Sequence, residues 1–566
     1  VRIREACPEE AVRLTDLVLR SKAHWGYGEA FLESCRDELT IAPHEVTARR
    51  TVVAERDPDG VVGLATLEGT APDGSIGMLF VEPSEIGSGV GRLLYGHVLA
   101  AAREAGFTRL TIESDPHAEG FYRAMGARRA GESAGTLRAL PRYEVSIAPR
   151  EGWLRAWTGE RRAVHLGNAA QFQGGFAELS PAARRGSAHY ASLAALASPH
   201  PAAVVLPGRV GEAWLATVGR ELAWGQVELY EEVADPVAEV LRRPALESHL
   251  RGLGLPFVPW GHTAQSGRLT GYAPPKDAFR YEGKSAANEL FRTLAPRCPG
   301  ITVPEQWRAP TRRAAARLLS ARARAGAVTV VKAEHGAGGA TTRITSARRP
   351  RAVLRALPKG PLLLEEFVGT AGPLRDITFD GVVDADGTVH EVGVAEMRVR
   401  DAVYLGATVG PGSVPGELAA VARGFGVLVG GALAAAGYRG WYDVDYVVGT
   451  GGLAPTETNL RLTGPAVAFM AKARLDEVRG GEHVVRAVDR VVLGARLPER
   501  ELLEHLRSVG ETCAGIGATL IPTIPTASYE PEPYAGVLVA ARSRAQVDAA
   551  EALLRVRSGE LAEMFL

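Results

Sequence analysis

Twice along this chain an apolar run stops abruptly and glycines follow. The first junction is Leu79-Phe80-Val81-Glu82-Pro83 leading to Gly87-Ser88-Gly89-Val90-Gly91. The second is Val328-Thr329-Val330-Val331-Lys332 leading to Gly336-Ala337-Gly338-Gly339. Glycine reaches backbone conformations closed to other residues, so such junctions aim main-chain amides at a ligand, and a helix opening after one favours an anion. Two junctions about 250 residues apart predict two separate α/β sites rather than one, as befits a chain of 566 residues, enough for three or four domains.

Composition narrows the partners. Hydrophobic residues make up 46% and charged residues 23%, an ordinary globular balance. Lys and Arg total 65, as do Asp and Glu, so no global basic field exists to hold nucleic acid or an anionic membrane. The apolar stretches read as broken by glycine and charge before 18 residues, so no transmembrane helix is expected. The N-terminal VRIREACPEE carries acids early and lacks an apolar segment, so no signal peptide is expected either. Cys7, Cys35, Cys298 and Cys513 are scattered without a CxxC, which points to a reducing cytoplasm. Lysine occurs only at 22, 276, 284, 332, 359 and 472, so a lysine at a strand end is more informative here than usual.

Residues 1–147 read as a compact α/β unit, with strands at 51–55, 61–67 and 76–81, the turn Asp57-Pro58-Asp59-Gly60, and a helix after the first glycine junction. Residues 148–275 show repeated strand–helix signals and predict an open, mostly parallel sheet. From about 276 the pattern changes to longer strands, with acids and basic residues at their ends. In 481–566 the expectation is a helix, a proline-rich crossing at 520–533, a strand at 536–540 and a last helix.

In this third region a β-rich run delivers Lys332 directly before the glycine loop, an arrangement that can close over phosphates while the lysine neutralises charge. The apolar run Leu362-Leu363-Leu364 ends in Glu365-Glu366-Phe367-Val368, an edge suited to an adenine. Asp445, Glu457 and Asn459 are oxygen donors at adjacent strand ends. Glu457 and Asn459 are two apart and share one face, and Arg461 follows on it. Hard oxygen donors suit Mg²⁺ bridging phosphates, and the arginine suits a carboxylate or a transferring phosphoryl group.

Two family resemblances rest on these residues. MLFVEPSEIGSGVGRLLYGHVLAAAREAG with DPHAEGFYRAMGARRAGE resembles the GNAT N-acetyltransferases over residues 1–147. That resemblance implies acetyl-CoA held through Val81, Gly87, Gly89, Val90 and Gly91, with Tyr122 protonating the departing thiolate. Ile86 departs from the Arg or Gln usual there. Glu113 and Asp115 are either amine-deprotonating groups or ordinary loop acids, and the aromatic segment 21–27 either walls the acceptor pocket or is a partly buried loop. The second set resembles the ATP-grasp carboxylate–amine ligases over about 275–480. It implies Lys284 and Lys332 as the nucleotide lysines and 336–342, with Gly336, Gly338 and Gly339, as the phosphate loop. It further implies Glu365, Glu366, Phe367 and Val368 as the adenine hinge and Asp376 as a ribose- or hinge-side acid. Asp445, Glu457 and Asn459 become the metal ligands, Arg461 the group stabilising the oxyanionic intermediate, and Arg398 or Arg400 the basic residue near the γ-phosphate.

The expected fold class is therefore α/β multidomain. A GNAT fold spans 1–147, a pre-ATP-grasp domain 148–275, a two-subdomain ATP-grasp core 276–480 and a C-terminal extension 481–566, loosely like that of the pheganomycin-type peptide ligases. The expected activity is amide-bond formation between a small acid and an amine, using ATP and Mg²⁺, joined to acetyl transfer from acetyl-CoA in specialised metabolism. The alternatives are a GNAT unit that only docks or binds, and a regulatory protein acetyltransferase. The expected partners are small-molecule acid and amine substrates, with no nucleic acid and no membrane; a homodimer is expected by analogy alone.

Overall fold

The computed structural model describes residues 1–133, 139–148, 151–176, 179, 181–336, 341–370 and 372–565. In the N-terminal unit the strands Arg2–Glu5, Val52–Arg56, Gly60–Ala65 and Leu79–Val81 form one antiparallel sheet. A second sheet holds Glu68–Thr70, Asp73–Ile76, Arg109–Glu113, Leu140–Ser146 and Arg128–Ser133. Asp73–Ile76 runs parallel to Arg109–Glu113, with Ile76 opposite Ile112. Immediately afterwards Leu79–Val81 pairs, among the described residues, only with Gly60–Ala65. The two parallel runs thus start side by side and part, opening a wedge in the sheet. The helix Val90–Glu104 begins beyond the wedge and buries Leu94, Tyr95, Val98, Leu99 and Ala102, the spacing of one helical face.

The second unit is a four-stranded sheet in the order Glu228–Tyr230, Pro201–Val205, Ala163–Leu166, Phe257–Pro259, parallel throughout. Its central strands are buried along their whole length, as strands covered on both faces must be.

Two antiparallel sheets make up the rest. The smaller has the order Gln306–Ala309, Leu362–Glu366, Thr329–Ala333, Thr342–Thr345. The larger has eight strands: Gly452–Asn459, Gly440–Gly449, Asp376–Val383, Val389–Arg400, Val403–Val409, Val484–Val492, Tyr534–Ala541, Thr519–Ile524. The last three come from the C-terminal stretch, which extends this sheet. The proline-rich segment expected to be a crossing contributes the edge strand Thr519–Ile524, where Pro522 is tolerated because an edge has ladder positions to spare. The strand Val484–Val492 lacks clean alternation in sequence because both its faces are covered.

The expectation that every apolar stretch breaks before 18 residues is corrected by Gly416–Ala435, whose 18-residue window has a mean hydropathy of 1.8. Alanine and glycine make up much of it, and the glycines let it lie directly on the large sheet. A Cβ at Gly426 would stand 2.2 Å from the Phe379 ring, and one at Gly430 would stand 2.1 Å from the Tyr442 hydroxyl. Of the hydropathic window, 39% is buried in the protein, so the apolar stretch supplies one face of a core with Phe425, Val429 and Leu433.

The N-terminal unit is fixed against the rest. Gly96 sits against Val478 of the helix Gly464–Arg479. Arg92 pairs with Glu221 at 2.9 Å, and Arg103 donates to the carbonyls of Ala148 and Glu477. Arg542 donates to the carbonyl of Gly126. Substituting Gly430→Ala is expected to cost about 1–3 kcal/mol through overpacking against Tyr442 and Val389. Gly431→Ala, one residue on and facing open space, is expected to be neutral or stabilising. Thermal and urea unfolding of the full chain carrying each variant checks the contrast.

Candidate functional sites

The larger sheet carries a grid of acids on one face. Asp445 stands opposite Thr378 on one side and Glu457 on the other; Asp443 stands opposite Asp380 and Asn459. Directly opposed residues on neighbouring strands point the same way, so these six side chains form two rows across three strands. The other face of the same strands presents Ile377, Phe379, Tyr442, Val444 and Tyr446 to the glycine-bearing helix. Period-2 alternation therefore separates an apolar face from a charged one.

Such a grid repels itself. Burial first, and then the charges of neighbouring acids, push Asp443 and Asp445 well above the usual carboxylate range. Asp380 is raised for the same reasons, although Trp441 Nε1 donates to its Oδ1 at 2.8 Å; its other oxygen has no hydrogen-bond partner among the described residues. Glu457 differs. Burial would raise it, but Lys284 Nζ at 2.6 Å outweighs that and holds it below its ordinary value, while Lys284 is raised in turn.

Lys284 opens the helix Lys284–Leu294, and Glu334 fixes that helix start. Its carboxylate accepts from the Ser285 N–H at 3.0 Å and the Ser285 hydroxyl at 2.7 Å. Glu334 follows Lys332 by two residues, so the strand of the smaller sheet and the helix bearing Lys284 are tied together. Lys332 Nζ is 2.5 Å from Glu365 Oε2, both buried, on adjacent strands. Glu365 thus holds Lys332, whereas Glu366 is exposed. Phe367 and Val368 are half-buried, with the Arg375 guanidinium 5.3 Å over the Phe367 ring. The hinge meets the large sheet where the Thr450 N–H donates to Gly369 and the Val448 N–H to Arg375. Asp376 begins the strand on the acid-bearing face, and burial raises it to about 6 against the pull of Arg375. Gly336 is placed close to Thr341; Gly338 and Gly339 lie outside the described residues.

Arg461 reaches the same place. Its Nη2 donates to Asn459 Oδ1 at 2.8 Å, and its Nε is 3.5 Å from Glu282. Asn459 in turn donates to Asp443 at 2.8 Å and towards Asp445 at 3.5 Å. In this conformation Asn459 gives its oxygen to Arg461, so the oxygen donors turned to the recess are Asp445 and Glu457. Among the described residues no group of three or more His, Cys, Asp or Glu could hold a metal ion. Two carboxylates with one amide able to rotate its oxygen inward fit a Mg²⁺ that takes its remaining ligands from phosphates and water. Sequence reasoning missed Glu282, which accepts from the Leu460 N–H at 2.6 Å, and Glu334. Their signal was proximity: Glu282 lies two residues from Lys284, and Glu334 two residues from Lys332. Arg398 is not at this site; it pairs with Glu551 of the helix Arg544–Gly559 on the opposite face. Arg400 is exposed at its strand end.

In the N-terminal unit Val81 ends the strand beside the wedge. Gly87 and Gly89 have φ of +87° and +97°, with open space where a side chain would stand. Val90 is buried, and a Cβ at Gly91 would touch the Phe121 ring at 3.4 Å. Ile86 is exposed. Ser88, Gly89 and Arg92 border a cavity of about 410 Å³ whose far wall includes Arg220 and Trp224 of the second unit. Tyr122 is buried among Tyr95, Phe121 and Tyr143, and burial keeps its phenol protonated well beyond neutral pH. Asp115 is the less apt base. Burial would raise it, but Lys22 at 2.5 Å, the His117 N–H and the Tyr27 hydroxyl hold it low. Glu113 is exposed at its strand end. The aromatic segment lies over this spot, with Trp25 stacked on His117 at 5.1 Å.

Comparison with known proteins agrees with the N-terminal geometry. The chain is 37% identical over 81 residues to the peptidyl-lysine N-acetyltransferase YjaB of Salmonella typhimurium, covering 14% of this chain and 52% of that protein. The chain thus spans about half the length of the curated relative it matches. Among solved structures, a carboxyaminoimidazole ribonucleotide synthase from Aspergillus clavatus complexed with ATP aligns at 14% identity and a TM-score of 0.43, over 65% of this chain and 100% of that one. A biotin carboxylase from Campylobacter jejuni aligns at 12% identity and 0.39, over 64% and 86%. The PaiA N-acetyltransferase of Thermoplasma acidophilum, in complex with coenzyme A, aligns at 16% identity and 0.22, over 25% and 96%. Likenesses with TM-scores this low add nothing to the geometry itself. The model of the Acetyltransferase (GNAT) family matches residues 18–127, so this chain carries a GNAT acetyltransferase domain near its N-terminus.

Proposed function

We propose that the chain joins two enzymes: an ATP-dependent, ADP-forming ligase that couples a carboxylic acid to an amine, and an acetyl-CoA-dependent N-acetyltransferase. The observation that carries the ligase reading is the convergence of Lys284 and Lys332 on the acid grid. Lys284, on the helix tied to the smaller sheet, pairs with Glu457 of the larger one, and the charge of Lys332, itself held by Glu365, also lowers Glu457, so cations and oxygen donors for a nucleotide polyphosphate meet at one recess.

The chemistry follows from that layout. Mg²⁺, when held by Asp445 and Glu457 with Asn459, would neutralise charge on the β- and γ-phosphates. Lys284 and Lys332 orient the same phosphates, and Phe367 and Val368 border the base. A substrate carboxylate oxygen attacks the γ-phosphorus and the bond to ADP breaks, giving an acyl phosphate. An amine nitrogen then attacks the acyl carbon, phosphate leaves and the amine loses a proton. Arg461, already aimed at this recess, would steady the oxyanion. The residues do positioning and electrostatic work, which is the main need in phosphoryl transfer.

In the N-terminal unit the wedge would take the pantetheine arm, the amides of Gly87–Gly91 the pyrophosphate, and Tyr122 would return a proton to the thiolate. Exposed Ile86 and the engaged Asp115 favour one competing reading, in which this unit binds acetyl-CoA without turnover.

The ligase reading is tested by ADP and phosphate release from Mg·ATP with pools of acids and amines, reading product masses in parallel. Asp445→Asn and Glu457→Gln are each expected to lower ADP release by about 100-fold or more, the scale of losing a charge-stabilising group. Unchanged turnover in both variants would end the reading. For acetyl transfer, Tyr122→Phe is expected to reduce the rate by about 10²–10⁴-fold, the worth of a general acid, with acetyl-CoA affinity intact. Wild-type binding of acetyl-CoA without transfer to any amine would establish the binding-only reading instead.

A further inference from the structure

A second polar cluster lies on the acid-bearing face, beyond the nucleotide groups. The strand Val484–Val492 is bulged against Tyr534–Ala541 between Val488 and Val491, and Asp489 sits in the bulge. Bulges re-aim a side chain and gather beside active sites. Tyr190 donates its hydroxyl to Asp489 Oδ2 at 2.8 Å. The Tyr190 ring meets Trp260 edge-on at 6.0 Å, and the Trp260 carbonyl accepts the N–H of Leu462, next to Arg461. Tyr404 packs on the same core as Tyr190 and Trp260. Its ring lies over Gly464, where a Cβ would stand 2.4 Å from its hydroxyl. That hydroxyl is buried without a hydrogen-bond partner among the described residues.

Asp489 has one neutral donor and no ion-pair partner among the described residues. Its neighbour Arg490 is engaged elsewhere, 4.5 Å over the Tyr534 ring and 3.2 Å from Glu532. Burial raises Asp489 to about 6, while Tyr404 is pushed up first by burial and then by the charges of Asp489, Tyr190, Asp380 and Asp445. The cluster and the acid grid therefore share one electrostatic neighbourhood. A half-buried carboxylate with one neutral donor and no cation is unfavourable, and an incoming cation repays it. One carboxylate flanked by phenols is a poor metal site. It suits an ammonium group, which has three donors and is drawn to aromatic faces.

We propose that Asp489, with Tyr190 and Tyr404, recognises a cationic amino group on the acid that the ligase activates, so that this substrate is a free amino acid rather than an N-acylated one. The inference rests on the ligase reading and names the substrate class of that site. Held as an ammonium, the amine keeps its proton and cannot attack the activated carboxylate, so a different amine completes the bond. Acetylation of this amine by the N-terminal unit would then have to follow ligation.

The test is calorimetric titration of the full chain, saturated with Mg·ADP, with each free L-amino acid and its N-acetyl counterpart. At least one free amino acid should bind, with its N-acetyl form weaker by about 10- to 100-fold, the worth of one hydrogen bond to a charged group. Asp489→Asn should lose that preference while binding Mg·ADP as the wild type does, which also shows that it folds. Tyr404→Phe, which removes only the hydroxyl, should weaken the free amino acid in the same direction. Equal binding of free and N-acetyl forms, undiminished binding by Asp489→Asn, or no amino acid bound to a chain that does bind Mg·ADP would each overturn the proposal. Failure of the wild type to bind Mg·ADP would instead strike the ligase reading on which it rests.

Discussion

Carboxylates crowded on one buried sheet face need cations, and the rest of the chain beyond the N-terminal unit is arranged around that need. Asp380, Asp443, Asp445 and Glu457 occupy neighbouring positions on three adjacent strands, where like charges raise one another's proton affinity. Lys284 and Arg461 supply part of the compensation, and Lys284 reaches Glu457 from a different element. Removing one partner of such a buried pair typically costs about 3–5 kcal/mol, because the other charge is left unpaired. The remaining demand for positive charge is what a metal–nucleotide complex would meet. Binding and local stability are then two expressions of the same electrostatics.

The lysines and Arg461 are positioned by glutamates outside the acid grid. Glu334 ties the helix carrying Lys284 to the strand carrying Lys332, and Glu365 holds Lys332 itself. Glu282 fixes the backbone of Leu460 and faces Arg461. A lysine on four methylenes is a loose point charge, and these contacts restrict where each can go. The N-terminal unit has its own economy. Its wedge arises because one run changes sheet partners after Ile76, and its helix Val90–Glu104 is fastened to the rest of the chain through Gly96, Arg92 and Arg103.

Much of this was legible in the sequence because it is local. Glycines after a strand, acids spaced by two and an arginine continuing the same face follow from chain geometry, and Asp445, Glu457, Asn459 and Arg461 do gather at one recess. What stayed hidden is set by partners distant in sequence. Nothing local says that Glu365 would turn inward to Lys332, or that Arg398 would be claimed by Glu551 from the last helix. The edge strand Thr519–Ile524 was masked by Pro522, whose cost vanishes only at an edge. A helix was legible at 416–436, but the length of its apolar stretch was not, because its glycines read as interruptions, whereas in the fold they are the points of close approach to Phe379 and Tyr442.

The central claim is that the acid grid and the two lysines together form a metal–nucleotide site. Calorimetric titration of the full chain with ATP, in excess Mg²⁺ and again with the metal chelated, addresses it most directly. A carboxylate-lined site predicts ATP binding that needs Mg²⁺, because the bare polyphosphate would meet Asp445 and Glu457 as like charges. Binding of equal strength without the metal, or none in its presence, would contradict it.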